Sequence, residues 1–338
     1  MSANIASRLL YHYRISARAL PWRAMPGAVP MDPYKVWLSE VMLQQTTVAT
    51  VTPRFARFVE RWPTVEALAD ARDEEILHEW AGLGYYARAR NLIACARAVA
   101  ARGGFPDDEA GLRALPGLGA YTAAAIAAIA FDRRAVVIDT NVERVIARLF
   151  AIARPIAEAR PEIRVLAERI TPDEDAGDFA QAMMDLGATI CRPKAPKCGE
   201  CPLRQDCAAL ASGTPEAFPA PKLRKARPHR LGTAWWIERD GALWLVRRPD
   251  KGLLGGMTAL PGDAWDDALD VGQPLPLPLA SVAHGFTHFT LDLAIVARAD
   301  PVGEGWWQPI DIIGDAGLPT LYRRAVEAVL ASRSNLFA

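Results

Sequence analysis

Four cysteines crowd into one short stretch, Cys191-x6-Cys198-x2-Cys201-x5-Cys207. Thiols gathered this way in a long chain point to a metal centre more than to a disulfide framework. Tetrahedral zinc takes four thiolates, but only Cys198 and Cys201 have the spacing of a zinc knuckle. A [4Fe–4S] cluster accepts ligands of unequal spacing. The spacing alone leaves both centres open. Arg192, Lys194, Lys197 and Arg204 in the same loop suit a DNA backbone. The fifth cysteine, Cys95, stands between Ile93 and Ala96 and reads as a buried apolar side chain.

Two carboxylates stand in unusual company. Glu40 lies four residues after Val36, three after Trp37 and beside Val41, on a side of its helix that should face the core. Burial there raises a carboxyl pKa and makes it a proton donor near neutral pH. An ion-paired structural glutamate would share that pattern. Asp139 follows the apolar run Val136-Val137-Ile138 and precedes a helix beginning at Asn141. It reads equally as an N-cap or as an anion that stabilises a developing positive charge. An acid and an anion together are the pair that cleaves glycosidic bonds.

These residues need elements to hold them. Asp32-Pro33 is a helix start, with Asp as N-cap and Pro as the first helical residue, and Glu40 rides on that helix. Leu115-Pro-Gly-Leu-Gly119 is a sharp turn between a short helix and the Ala-rich run Tyr121–Phe131. Its glycines let a partner approach, and the following helix offers free N–H groups to an anion such as a DNA phosphate. An ordinary helix–helix turn is the plain alternative. Ala-rich periodic stretches also recur at Val65–Asp70, Asn91–Arg102 and Asn141–Phe150, so the first 211 residues read as helical.

Residues 212–231 are rich in proline and basic residues and read as a linker. Beyond them the style changes. Thr233–Glu238 and Ala242–Val246 flank an Asp-Gly turn and predict a hairpin, Phe289–Ala297 predicts another strand, and Leu321–Leu330 a closing helix. The expected organisation is a helical domain over 1–211, with its hairpin near 110–131 and its cysteine loop at 191–207. A linker over 212–231 and a smaller α+β domain over 232–338 follow.

The bulk properties fit a globular chain. It has 338 residues, 51% hydrophobic and 23% charged. No apolar run reaches the 18 or so residues of a membrane span, and the N-terminus lacks the pattern of a secretory signal, so a cytoplasmic location is expected. Net charge is zero, from 39 basic and 39 acidic residues. Residues 221–231 nevertheless hold five basic groups and no acidic one, so the neutral total does not exclude a nucleic-acid partner.

Taken in order, several motifs resemble one family. They are Leu20-Pro-Trp-Arg23, Trp37-Leu-Ser-Glu-Val-Met-Leu-Gln-Gln-Thr46, Gly82-Leu-Gly-Tyr-Tyr-Ala-Arg88, Leu115-Pro-Gly-Leu-Gly119, Asp139 with Asn141, and the four-cysteine loop. The chain resembles the MutY adenine DNA glycosylases of the endonuclease III-like helix–hairpin–helix superfamily. The resemblance covers nearly the whole chain. It implies an all-α glycosylase domain carrying a [4Fe–4S] cluster on Cys191, Cys198, Cys201 and Cys207, followed by a MutT (Nudix)-like domain. It implies removal of adenine mispaired with 8-oxoguanine or guanine in double-stranded DNA, with a monomer as the expected state and repair-protein partners reached through the linker.

The resemblance also assigns roles. Glu40 aligns with the acid that protonates adenine N7, and Asp139 with the carboxylate that stabilises the cationic sugar. Tyr121 and Asn141 align with supporting active-site residues. Gln45, Leu83 and Tyr85 align with residues that enter the base stack. Arg23, Thr46, Gly117 and Gly119 fall among the DNA-contacting motifs. Phe286-Thr287-His288 matches a Phe-Ser-His loop that reads 8-oxoguanine, with threonine in place of serine. Bifunctional relatives carry a lysine where Tyr121 stands, and a phenol forms no Schiff base, so the expected product is an abasic site with weak strand cleavage at most. No Glu-rich metal-binding helix follows Pro261-Gly-Asp-Ala-Trp265, so the second domain is expected to recognise lesions rather than hydrolyse nucleotides. Other departures are the long segment Met25–Met31 and Thr140, where the family has glycine.

Two other readings share these motifs. One is a glycosylase of the superfamily with a different base; the absent lysine and the second domain speak against it. The other is a non-catalytic iron–sulfur protein that binds DNA or senses redox state. Intact Glu40 and Asp139 speak against that.

Overall fold

The structure is a computed structural model that describes residues 2–221, 227–249, 252–263, 265, 277–286 and 288–334. It divides into two compact units, Met1–Leu223 and Arg224–Ala338. Among the described residues no helix is long and apolar enough to cross a membrane.

The first unit is built of helices: α1 (Ser2–Ser16), α2 (Pro33–Leu43), α3 (Val48–Arg61), α4 (Val65–Asp70), α5 (Asp73–Glu79), α6 (Tyr86–Arg102), α7 (Glu109–Arg113), α8 (Ala120–Phe131), α9 (Thr140–Leu149), α10 (Ile156–Ile170), α11 (Ala176–Asp185) and α12 (Ala208–Ala211). Asp32 caps α2 as the sequence predicts, accepting from the Tyr34 N–H at 2.8 Å, with Pro33 in the first turn. Helix α8 is the central one. Its alanines are buried around almost the whole circumference, which suits a helix packed on several sides. It contacts α2, α7 and α11. A single apolar core joins helices α1 to α11, from Ile5 in α1 to Leu203 in the cysteine loop.

The helical unit runs past residue 211. Pro155 bridges to Ala220, and the Phe218 carbonyl accepts from Arg148 Nε at 3.0 Å. The first part of the segment read as linker therefore lies against the helices.

The second unit has strands β1 (His229–Trp236), β2 (Glu238–Arg239), β3 (Ala242–Arg247), β4 (Thr258–Ala259), β5 (Ala280–Gly285), β6 (Thr290–Ala297) and β7 (Gly305–Pro309), and helix α13 (Thr320–Ser334). One sheet has the order β1-β6-β5; the other has β2-β3-β4, with β7 also paired to β3. The Asp-Gly turn forms, with Asp240 and Gly241 both at positive φ. The hairpin around it is shorter than the sequence suggests. Of the predicted first arm only Glu238 and the following Arg239, in β2, pair with β3, whereas Thr233–Trp236 belongs to β1 and runs parallel to β6. Helix α13 covers β5 and β6 and closes a core that includes Leu243, Leu291, Ile295 and Tyr322.

Candidate active site

Helix α8 brings the chemistry together. Tyr121, in its first turn, donates its hydroxyl to Glu40 Oε2 at 2.7 Å. Glu40 itself is only 7% exposed. Burial pushes its carboxyl above the ordinary glutamate range, and the nearby Asp139 charge pushes the same way. The Tyr121 hydrogen bond and Arg23 oppose that shift without cancelling it. The Tyr121 phenol is itself held well above its usual value, mainly by burial, so it stays a neutral donor.

Asp139 caps α9. One carboxylate oxygen accepts the Val142 N–H at 2.6 Å, and the other accepts Asn141 Nδ2–H at 2.8 Å. The N-cap and functional readings of Asp139 are thus compatible: capping fixes the carboxylate. Asn141 is held in turn by Arg144 Nη2, which donates to its Oδ1 at 3.0 Å. The same guanidinium reaches the Gly187 carbonyl at 2.7 Å and the Cys191 carbonyl at 2.8 Å. Gly187 has to be glycine for this packing, since a Cβ there would lie 2.6 Å from Asn141 Cβ.

Glu40, Tyr121, Asp139 and Asn141 line one cavity of about 680 Å³. Its volume suits a nucleobase with its sugar. Arg18 and Arg23 line it too. Both hold Asp185, at 2.6–2.8 Å through their guanidinium groups, and the Arg18 N–H adds a bond at 3.1 Å. The structure therefore places Arg23 inside the pocket wall. Arg18, Arg144 and Asp185 are site residues that sequence reasoning missed. Asp185 lies over 160 residues from its arginine partners, so no local pattern marks it.

The DNA-facing candidates fall on three turns. Gln45 and Tyr85 are exposed and both hold positive φ, 56° and 51°, a strain common at working sites. Thr46 follows Gln45 and accepts from Arg88 Nη2 at 3.4 Å. Leu83 differs: it is buried in the helical core and its carbonyl accepts from Arg88 at 3.1 Å. In the hairpin, Gly117 has φ 73°, and a Cβ there would strike Asn91 Cβ at 2.6 Å. Gly119 is the N-cap of α8 and faces open space, leaving the first N–H groups of the helix free of any side-chain cap.

The four loop cysteines are free thiols, and Cys191, Cys201 and Cys207 pack against the helical core. Burial pushes the Cys201 thiol up to about 11, and Cys191, Cys198 and Cys207 all lie close enough to act on it. Arg148, 3% exposed, donates to Cys191 Sγ at 3.4 Å and to the Arg192 and Pro193 carbonyls. Among the described residues no group of three or more His, Cys, Asp or Glu side chains is arranged to hold a metal ion. A four-iron cube is larger than an ion and takes its sulfurs further apart.

In the second unit Phe286 is an anchor. It stacks on Trp265 at 5.6 Å and touches His284 and Phe289. Its N–H donates to the Phe289 carbonyl at 2.9 Å, closing a tight turn. His288 on that turn is exposed. Thr287 lies outside the described residues.

Comparison with known proteins places the chain in a family. Residues 38–170 match the HhH-GPD superfamily of base excision DNA repair proteins, and residues 233–328 match the NUDIX domain. The fold resembles that of a thermostable thymine-DNA glycosylase, with TM-score 0.54, 29% identity and coverage of 62% of this chain and 95% of that one. An endonuclease III in non-covalent complex with DNA shares the fold, with TM-score 0.52, 24% identity and coverage of 63% and 98%. The class is thus a helix–hairpin–helix base excision glycosylase with an appended Nudix domain. The adenine DNA glycosylase of Buchnera aphidicola subsp. Acyrthosiphon pisum is 30% identical over 359 residues, covering all of both chains. That of Homo sapiens is 34% identical, covering 86% of this chain and 66% of its own. The chain belongs to the adenine DNA glycosylase family.

Proposed function

We propose that this protein excises adenine from duplex DNA where it stands opposite 8-oxoguanine or guanine, and leaves an abasic site. The observation that carries the reading is the Glu40 carboxyl, buried, raised in pKa and hydrogen-bonded by Tyr121, in one cavity with Asp139. Adenine is flipped from the stack at a cost of a few kcal/mol, less at a mismatch. Glu40 gives its proton to N7, so the base departs as a neutral molecule. General acid catalysis of this kind contributes about 10²–10⁴-fold. Asp139, fixed by the Val142 N–H and Asn141, faces the cationic sugar that forms, and water completes the hydrolysis. Position 121 offers a phenol and no amine, which supports a monofunctional enzyme.

Cys191, Cys198, Cys201 and Cys207 fit a [4Fe–4S] cluster: four free thiols, mutually close, with the Arg148 guanidinium beside Cys191. Such a cluster would fix the loop that carries Arg192, Lys194, Lys197 and Arg204. The exposed His288 on its aromatic anchor supports recognition of 8-oxoguanine by the second domain.

Single-turnover reactions on duplexes bearing one 8-oxoguanine:A, G:A, 8-oxoguanine:C or G:T pair test this. Strand breaks only after alkali, at adenine opposite 8-oxoguanine or guanine, are expected. Breaks at another base, or without alkali, would overturn it.

A further inference from the structure

A second cavity of about 310 Å³ adjoins the first. The two share Tyr121, Ile138, Glu143 and Arg160 as lining residues. They therefore form one groove, leading from Glu40 and Asp139 past the N-terminus of α8 at Ala120 to Arg164. Arg160 and Arg164 lie one turn apart on α10, on the same side. Two of the three acidic residues on that helix pair with other arginines, Glu162 with Arg154 and Glu168 with Arg134, and the third, Glu158, is exposed in the first turn. The Arg164 side chain is exposed and makes no hydrogen bond or ion pair among the described residues.

Glu143 is the odd group in this groove. It is a carboxylate one turn after Asp139 on α9, with its side chain only 12% exposed. Unneutralised, it would repel a phosphate entering the groove. Arg160 Nε covers it at 2.9 Å, while the rest of that arginine stays exposed.

We infer that Arg160 and Arg164 clamp the phosphodiester beside the extruded nucleotide, and that Glu143 holds Arg160 until the DNA arrives. The inference rests on the reading that a base enters the first cavity. A base there stays tied to its sugar and flanking phosphates, and the shared groove is a way out lined by cations. Arg160 then exchanges a carboxylate for a phosphate, and Arg164 gains its first anionic partner.

Binding of the full chain to two duplexes tests this. One carries a tetrahydrofuran abasic analogue, whose backbone can be extruded; the other is undamaged. Arg164→Ala should weaken binding to the analogue duplex several-fold and reduce the salt slope by about 1. It should change binding to undamaged duplex much less. Arg164→Lys should keep the slope. Glu143→Gln should act in the opposite direction, tightening the analogue complex several-fold by freeing Arg160. An equal loss on both duplexes, or weaker binding by Glu143→Gln, would overturn the clamp. Neither duplex needs an excisable adenine, so the clamp can fail while the wild type still releases adenine, and the converse.

Discussion

The two units place polar groups in opposite ways. In the helical unit, Glu40, Asp139, Asp185, Arg23 and Arg144 are largely removed from water and interlocked by hydrogen bonds. In the second unit, His288 stands exposed on a turn whose neighbour Phe286 is gripped by aromatic rings. The difference follows from the tasks. Proton donation near neutral pH needs a carboxyl whose charged form is disfavoured, and burial does that. Reading a lesion needs a donor or acceptor that reaches outward, with rigidity supplied from behind. Helix termini suit the first task, since α8 and α9 point their first turns at one cavity. A tight turn between β5 and β6 suits the second.

Substitutions can break or sharpen this contrast. The largest effect should come from Glu40→Gln. Adenine release in single turnover should fall by about 10²–10⁴-fold, with duplex affinity kept. If binding were lost together with release, Glu40 would be a structural residue and the buried side of the contrast would collapse. Next is Arg148→Met. It strips three backbone carbonyls and the Cys191 sulfur of their donor, and should cost the helical unit about 3 kcal/mol, read as a lower urea midpoint. An unchanged midpoint would mean that this buried network adds little stability.

A smaller effect is expected at the exposed tip. His288→Ala should narrow the preference for 8-oxoguanine:A over G:A by roughly 1–2 kcal/mol, the scale of one or two hydrogen bonds. The rate at saturating enzyme should stay the same. A fall in that rate equal on both duplexes would show that the turn does not divide recognition from chemistry.

Much of the helical unit is legible in the sequence, because its signals are local. Asp32-Pro33 announces α2, and apolar periodicity sets Glu40 toward the core. Pro116 and Gly117 announce the turn before α8. The rest depends on contacts between distant segments. Asp185 carries no local mark, yet it fixes two arginines from the chain's first turns. The parallel pairing of β1 with β6 joins residues some 60 positions apart, and a strand's own composition does not name its partner.

The central claim is that Glu40 acts as an acid kept protonated by its surroundings. The most direct test is the pH dependence of single-turnover adenine release at saturating enzyme, for wild type and Tyr121→Phe. The raised pKa predicts a rate that holds at low pH and falls as pH rises through that pKa. Tyr121 favours the charged form of Glu40, so losing its hydroxyl should move the falling limb to higher pH, whatever it does to the plateau. A rate that rises with pH across this range, or a limb that moves to lower pH in Tyr121→Phe, would contradict the account.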